Sequence, residues 1–409
     1  MPVGNVMVGQ SGGPTSVINS SLVGVFKTAK DMGCAKVYGM RNGIEGLLSE
    51  RYVDLSDYIR NDLDIELLKR TPSSFLGTCR YKLPEATDKP EVYDRLFDIL
   101  KKLEIKHFFY IGGNDSMDTI KKLSNHAKDI GSDITFMGVP KTIDNDLAVT
   151  DHTPGFGSAA KYIASAMKEI IRDANTYGTD LITIVEVMGR NAGWLTGAAA
   201  LSRTEDCAGP DLIYLPECPF EYDKFVSKIQ EIKKYKNTIT IAVSEGLKTP
   251  DGKYVCEANK AAVFEDSFGH KMLGGTALYL ADAIAAETGI KSRGIVFSTL
   301  QRCASHIVSR RDITEAFTAG ADAVQAALNG ETGKMIIFER ISNEPYQILT
   351  SSYDVNLIAN IEKVVPQEWI TDDNTYVSKE FEQYVRPLII GELSPFMVDG
   401  LPRHLFIDK

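Results

Sequence analysis

Short apolar runs closed by glycine or other turn formers alternate along this chain with longer stretches of helical period. The runs Asn5 to Val8, Ala35 to Met40, His107 to Ile111, Thr135 to Val139, Leu181 to Met188, Asp211 to Leu215, Thr238 to Val243, Gly294 to Leu300 and Lys334 to Glu339 read as buried strands. Helices are predicted between them over Ser16 to Met32, Pro90 to Glu104, Met117 to Ile130, Ser158 to Ala174, Glu221 to Tyr235, up to Ala286, and from Asp312 to Leu328. Strands alternating with helices predict an α/β fold with mainly parallel sheets. The segment Asn42 to Leu67 reads as irregular, and the tail beyond Val365 shows no chemistry.

In open parallel sheets, ligands bind outside the carboxyl ends of the strands. Two predicted strands end in Ile111-Gly112-Gly113-Asn114-Asp115-Ser116 and Pro140-Lys141-Thr142-Ile143-Asp144-Asn145-Asp146. The first offers glycines that let backbone approach an anion, then carboxamide, carboxylate and hydroxyl. The second offers a cation, a hydroxyl and two carboxylates. Phosphate chemistry uses those parts: N–H groups and cations for oxyanions, oxygen ligands for Mg²⁺, and a carboxylate to take a proton. A third strand runs into Gly9-Gln10-Ser11-Gly12-Gly13-Pro14-Thr15, where the glycines precede a helix N-terminus and Pro14 suits its first turn. Other strand ends carry Met188-Gly189-Arg190 and Ser244-Glu245-Gly246, and Arg80 and Lys82 stand in a connecting stretch.

Composition narrows the class. A chain of 409 residues suits two domains, and 44% hydrophobic with 24% charged residues is ordinary for a globular protein. No apolar run reaches the length of a membrane span, and the start lacks the basic and apolar regions of a signal peptide. Six scattered cysteines fit reduced thiols in the cytoplasm. A net charge of −10 with no basic block argues against nucleic acid. An acidic protein that binds phosphates must gather its cations locally, so the arginines and lysines beside these loops are the informative ones.

Gly112-Gly113-Asn114-Asp115-Ser116 and Pro140-Lys141-Thr142-Ile143-Asp144-Asn145-Asp146 resemble the phosphofructokinase family, and within it the pyrophosphate-dependent branch. Family members read G-G-D-G-S or, when pyrophosphate-dependent, G-G-D-D-S at the first loop. At the second they read P-G-T-I-D-N-D, with lysine for the glycine in pyrophosphate users. Met188-Gly189-Arg190, Glu245, Gln301-Arg302 and Arg311, nine residues beyond Arg302, continue the likeness, which extends from about Val6 to about Ala327.

The resemblance implies two Rossmann-like domains facing each other across a cleft. A phosphoryl-donor domain would take 1–150 and roughly 312–365, and a sugar-phosphate domain 151–311, with 366–409 as a C-terminal extension. It implies phosphoryl transfer from pyrophosphate to the 1-hydroxyl of fructose 6-phosphate, in a cytoplasmic homo-oligomer, dimer or tetramer. Asp144 is the expected base, with Asp146, Lys141, Asp115 and Arg190 beside it. Gly13, Arg80, Lys82, Gly113 and Asp115 would hold the donor. Thr142, Asp144, Met188, Gly189, Arg190, Glu245, Arg302 and Arg311 would hold the sugar phosphate. Mg²⁺ would sit at Asn114, where the family has aspartate, with Asp118 as a possible substitute ligand; Lys141 is expected to balance Asp115. Two further positions depart from the pattern: Cys303-Ala304 replaces a glycine pair, and Leu181 stands where many bacterial members place an arginine. An ATP-dependent 6-phosphofructokinase and a non-catalytic sugar-phosphate sensor are the alternatives. A dinucleotide-dependent oxidoreductase lacks its G-x-G-x-x-G helix opening.

Overall fold

A computed structural model of the chain describes residues 3–176, 178–258, 264–265 and 271–407. The early strands are β1 (Asn5–Gln10), β2 (Val37–Met40), β3 (Tyr52–Asp54), β4 (Ile105–Gly112) and β5 (Thr135–Pro140). The middle strands are β6 (Leu181–Val187), β7 (Leu212–Tyr214), β8 (Thr238–Ser244) and β9 (Ser292–Val296). Late in the chain follow β10 (Lys334–Asn343) and β11 (Tyr346–Asp354). The early and late strands form one seven-stranded sheet in the order β11-β10-β5-β4-β1-β2-β3. It is parallel except for β3 at one edge and β11 at the other. The middle strands form a four-stranded, all-parallel sheet in the order β9-β6-β8-β7. Two Rossmann-like units thus flank a cleft, as the family resemblance implies.

Register sets what meets in that cleft. Gly112 of β4 pairs with Pro140 of β5, and Gln10 of β1 with Ile111 of β4, so three turns leave the first sheet side by side. In the second sheet Val187 pairs with Ser244, which brings Met188 and Glu245 together.

Three segments differ from the patterning. The stretch 42–67 is not irregular: it holds the helix Gly43–Leu48, strand β3 and the start of the helix Asp62–Arg70, which Asn61 caps by accepting from the Asp64 N–H at 3.0 Å. Elements of three to nine residues are too short for periodicity to register. Strand β9 stops at Val296, because Ser298 turns the chain with a φ of 46°. Strand β10 continues to Asn343 and folds back as β11, a half-exposed edge strand whose Thr350-Ser351-Ser352 run carries no apolar signature.

The C-terminal extension packs against the second unit. Ile370, Tyr376, Val377, Phe381, Val385 and Leu388 share a core with Ala159, Ile163, Val185, Val187 and Trp194. Trp194 stacks on Phe381 with centroids 6.0 Å apart.

The helix Arg310–Leu328 crosses the helix Ile18–Asp31 at a pair of glycines. A Cβ on Gly320 would stand 2.1 Å from the Ser21 carbonyl oxygen, and one on Gly24 would stand 2.1 Å from that of Phe317. Backbone meets backbone there, so neither side can yield by turning a side chain. In an open helix Gly→Ala stabilises by roughly 0.5–1 kcal/mol; at this crossing the sign reverses. Gly320→Ala is expected to lose about 1–3 kcal/mol through overpacking. Urea unfolding will show this as a lower midpoint at unchanged slope, and a raised midpoint would contradict the close crossing.

Candidate active site

The turns from both sheets enclose a cleft of about 590 Å³. Its floor is built by the loop after β5. The Lys141 N–H continues the sheet by donating to the Gly112 carbonyl at 3.0 Å, while its side chain runs beneath the glycine turn that follows β1. The Lys141 ammonium donates to the Gly13 carbonyl at 2.7 Å and lies 3.3 Å from where a Cβ on Gly12 would stand. Gly12 has a φ of 75°, so glycine there provides both the backbone conformation and the room for the lysine. Burial pushes the Lys141 pKa down to about 8, although Asp144 and Asp146 pull it upward.

Asp144 and Asp146 both line the cleft, while Asn145 between them is fully buried. The loop turns at Asn145, where φ is 56°, and the Thr142 hydroxyl accepts from the Asp144 N–H at 3.0 Å. Burial raises the Asp144 carboxyl above its ordinary range, against the pull of Lys141, Arg190 and Arg302. Burial first, then the charge of Asp144, pushes Asp146 up to about 7. These two carboxylates are therefore the main charge partners of Lys141. Both leave the same strand end as the lysine, and Asp115, expected to balance Lys141, lines the same cleft.

Asn114 and Asp115 open the helix Asn114–Asp129, whose first turn lines the cleft. The Asn114 Oδ1 is buried with no hydrogen-bond partner. The Thr78 hydroxyl donates to the Gly12 carbonyl at 2.7 Å, which ties the 75–82 stretch to the glycine turn and brings Arg80 into the lining. Burial lowers the Arg80 pKa, helped by the charges of Arg302 and Arg190, while Asp115 opposes. Arginines from three separate segments therefore converge on one space in a protein of net charge −10.

The second sheet supplies the opposite wall. Gln301 accepts from the Met188 N–H at 3.1 Å, and the Ser244 hydroxyl donates to the Gly189 carbonyl at 2.6 Å. Gly189, with a φ of 132°, presents its N–H to the Glu245 carboxylate at 3.4 Å. Burial, and next the charge of Asp144, carry the Glu245 pKa up to about 8.

Of the residues expected from the sequence, Gly13, Arg80, Gly113, Asn114, Asp115, Lys141, Thr142, Asp144, Asp146, Met188, Arg190, Glu245 and Arg302 line this one cleft. Gly189 lies just behind, orienting Glu245. Arg302 sits beside the glycine turn, 3.5 Å from where a Cβ on Gly13 would stand. Lys82 is exposed outside the lining. Arg311 also stands outside, with its guanidinium 4.1 Å above the Tyr346 ring and donating to the Pro387 carbonyl. Asp118 pairs with Lys122 at 2.8 Å and is not part of the lining.

Two lining residues, Asn360 and Glu362, carried no signal in the sequence. They come from the segment after β11, more than two hundred residues from the loop they join. The Asn191 amide donates to both Glu362 oxygens at 3.0 and 3.2 Å, and the Lys363 N–H donates to the Asp146 carbonyl at 2.8 Å. The arrangement can hold polyanionic groups between cations and can take up a proton beside them.

Residues 5–327 match the model of the phosphofructokinase family. The chain is 38% identical over 403 residues to a pyrophosphate–fructose 6-phosphate 1-phosphotransferase of Halomonas elongata, covering 98% of this chain and 95% of the relative. It superposes with a TM-score of 0.88 and 36% identity on the crystal structure of a pyrophosphate-dependent phosphofructokinase from Nitrosospira multiformis, covering 98% of this chain and 95% of that one. A second such crystal structure, from Marinobacter aquaeolei, gives a TM-score of 0.87 and 35% identity over 100% of this chain and 98% of that one.

The carboxylate pair has a direct spectroscopic consequence. Carboxyl ¹³C NMR of the ligand-free protein is expected to show Asp146 titrating near pH 7. Asp144→Asn removes a neighbouring negative charge and will lower that midpoint. An Asp146 midpoint that does not move in this variant would show that the two groups do not interact.

Proposed function

The chain belongs to the phosphofructokinase family, in its pyrophosphate-dependent branch, and from that premise we propose how its residues divide the reaction. A phosphoryl group passes from pyrophosphate to the 1-hydroxyl of fructose 6-phosphate, giving fructose 1,6-bisphosphate and phosphate. One observation carries the assignment of roles. The buried Lys141 with its Asp144–Asp146 pair faces Met188, Arg190 and Glu245 across a single cleft. The donor lies on the glycine turns at Gly13 and Gly113, with Arg80 and Asp115. The sugar phosphate lies against Thr142, Met188, Arg190 and Glu245. Arg302, beside Gly13, stands where the two meet.

A primary alcohol is a poor nucleophile until its proton has somewhere to go. Asp144 is the base: its raised pKa makes it a stronger proton acceptor than an exposed carboxylate, and Asp146 lines the cleft beside it. Lys141, Arg80 and Arg190 stabilise the charge that spreads over the transferring group. The unpartnered Asn114 Oδ1 fits a divalent cation as an oxygen ligand. Mg²⁺, when bound there with the donor, would neutralise charge on the phosphate oxygens. Within a homo-oligomer, dimer or tetramer, the exposed Met397, Val398 and Leu401 are a surface that assembly would cover. No helix among the described residues is long and apolar enough to cross a membrane.

Donor choice follows from Asp115. A nucleotide carries an α-phosphate beyond the two that pyrophosphate supplies. A carboxylate ~4 Å from it would repel it by roughly 4 kcal/mol at an effective dielectric of about 20. That is on the order of a thousandfold in affinity, enough to disfavour an ATP-dependent 6-phosphofructokinase without a steric block.

A coupled assay with one donor at a time tests the function, and turnover with pyrophosphate but not ATP is expected. Asp144→Asn should lower kcat by about 10²–10⁴-fold with little change in either KM; near-normal kcat would remove Asp144 as the base. A carboxyl held above its ordinary pKa must lose its proton to act. The kcat/KM profile will therefore have its acid limb above the ordinary carboxylate range, and Asp146→Asn will move that limb to lower pH. For the donor, Asp115→Gly is expected to admit some ATP while impairing pyrophosphate use. Lys141→Gly should cost far more, because it empties the floor beneath Gly13 and leaves the Asp144–Asp146 pair without its cation. Unchanged donor preference in Asp115→Gly would sink the electrostatic account.

A further inference from the structure

The loop that carries Asp144 is held from behind by a residue of the C-terminal extension. Asn145 is fully buried between the two cleft carboxylates, and its left-handed backbone turns both of them into the cleft. Its side chain has two partners. The Oδ1 accepts from the Thr153 N–H at 3.1 Å, and the Nδ2 donates to the Tyr384 hydroxyl at 2.9 Å. That hydroxyl donates in turn to the Asp151 carbonyl at 2.5 Å. A single phenol thus bridges the two ends of the loop, using one lone pair and its only proton.

The phenol is itself fixed. Its ring lies 5.2 Å from Trp194 and 5.5 Å from Trp369, and the Arg340 guanidinium sits 4.6 Å above it. Arg340 also donates to the Tyr384 carbonyl at 2.8 Å and to the Asp151 carboxylate at 2.8 Å. The Asp151 carbonyl takes a second hydrogen bond, from the Lys363 ammonium at 2.7 Å. These partners leave the hydroxyl little rotational choice. A non-glycine residue in the left-handed region is strained by roughly 1–3 kcal/mol and persists only where its surroundings over-determine it. Tyr384 and Thr153 are those surroundings.

We propose that Tyr384 is a positioning residue for catalysis, acting through Asn145 to aim Asp144 at the substrate hydroxyl. The proposal rests on Asp144 being the base. Tyr384 does not touch substrate; it sets the backbone from which the base projects, and a displacement of about 1 Å at a reacting group can lower the rate on the order of a hundredfold.

The test is Tyr384→Phe, which keeps the ring between the two tryptophans and removes only the hydroxyl. With pyrophosphate and fructose 6-phosphate, kcat should fall by about ten- to a hundredfold, while both KM values stay within about twofold. The acid limb of kcat/KM should move to lower pH as the freed loop lets water reach Asp144; a purely structural role would leave that limb in place. Asn145→Ala, which cuts the same link from the other side, guards against a Phe variant that fails to fold. It should show the same kcat loss, and the double variant should be no worse than Asn145→Ala alone. A kcat within twofold of wild type, a loss confined to KM, or losses that multiply in the double variant would each overturn the proposal. Asp144→Asn, measured alongside, separates the two readings. If it retains activity, the base and its positioning residue fall together. If it is inactive while Tyr384→Phe is normal, only the positioning role falls.

Discussion

The structure depends on burying Lys141 beside Asp144 and Asp146. An ammonium or a carboxylate taken from water alone costs several kcal/mol. Here each group is the compensation for the others, and the Gly13 carbonyl takes one of the lysine's protons. Removing either sign leaves an unpaired buried charge, so the loop cannot vary one residue at a time. The same burial that depresses the Lys141 pKa raises those of both carboxylates. The cleft is thereby set near the pH at which a proton can change hands.

Around that cluster the sign of the local field departs from that of the whole molecule. Arg80, Arg190 and Arg302 arrive from three segments, and the Arg80 pKa is lowered by burial first and then by repulsion from the other two. The loops that carry them hold the three in one space against that repulsion. A phosphate would relieve it, and guanidinium forks suit phosphate geometry. Asp115, opposite in sign, counters that repulsion at Arg80.

The C-terminal third of the chain is the frame of this machinery. Lys363 reaches the Thr150 and Asp151 carbonyls, its backbone holds Asp146, and burial lowers its pKa to about 8. Behind it His152 is clamped between Asp151 and Glu315, each at 2.7 Å. Burial opposes a charge there, but the two carboxylates prevail and carry its pKa to about 9. Arg340 and Tyr346 complete the network, with Tyr346 donating to Glu315 at 2.8 Å. The loop that carries Asp144 and Asp146 is thus anchored on groups that lie far from it in sequence.

Much of this was legible before any coordinates. Continuous apolar runs ending in glycine announce parallel strands and their ligand-bearing ends, because backbone pairing and burial on both faces select those residues locally. Gly112 to Ser116 and Pro140 to Asp146 carry their chemistry within a few positions, so spacing alone displays it. The short elements between 42 and 67, the partly exposed strand β11 and the tail carry no such local signature. Arg311 matched a spacing, yet its position was decided by Tyr346 and Pro387. The sequence by itself therefore determined the α/β class and the strand ends that carry the cleft residues, both of which rest on neighbours along the chain. Only the tertiary structure decided that Arg80, Arg190 and Arg302 converge on one cleft, that Glu362 enters it, and that Tyr384 holds Asn145. Those depend on which surfaces are driven together when the core closes, and nothing in the local pattern of a polar side chain records its distant partner.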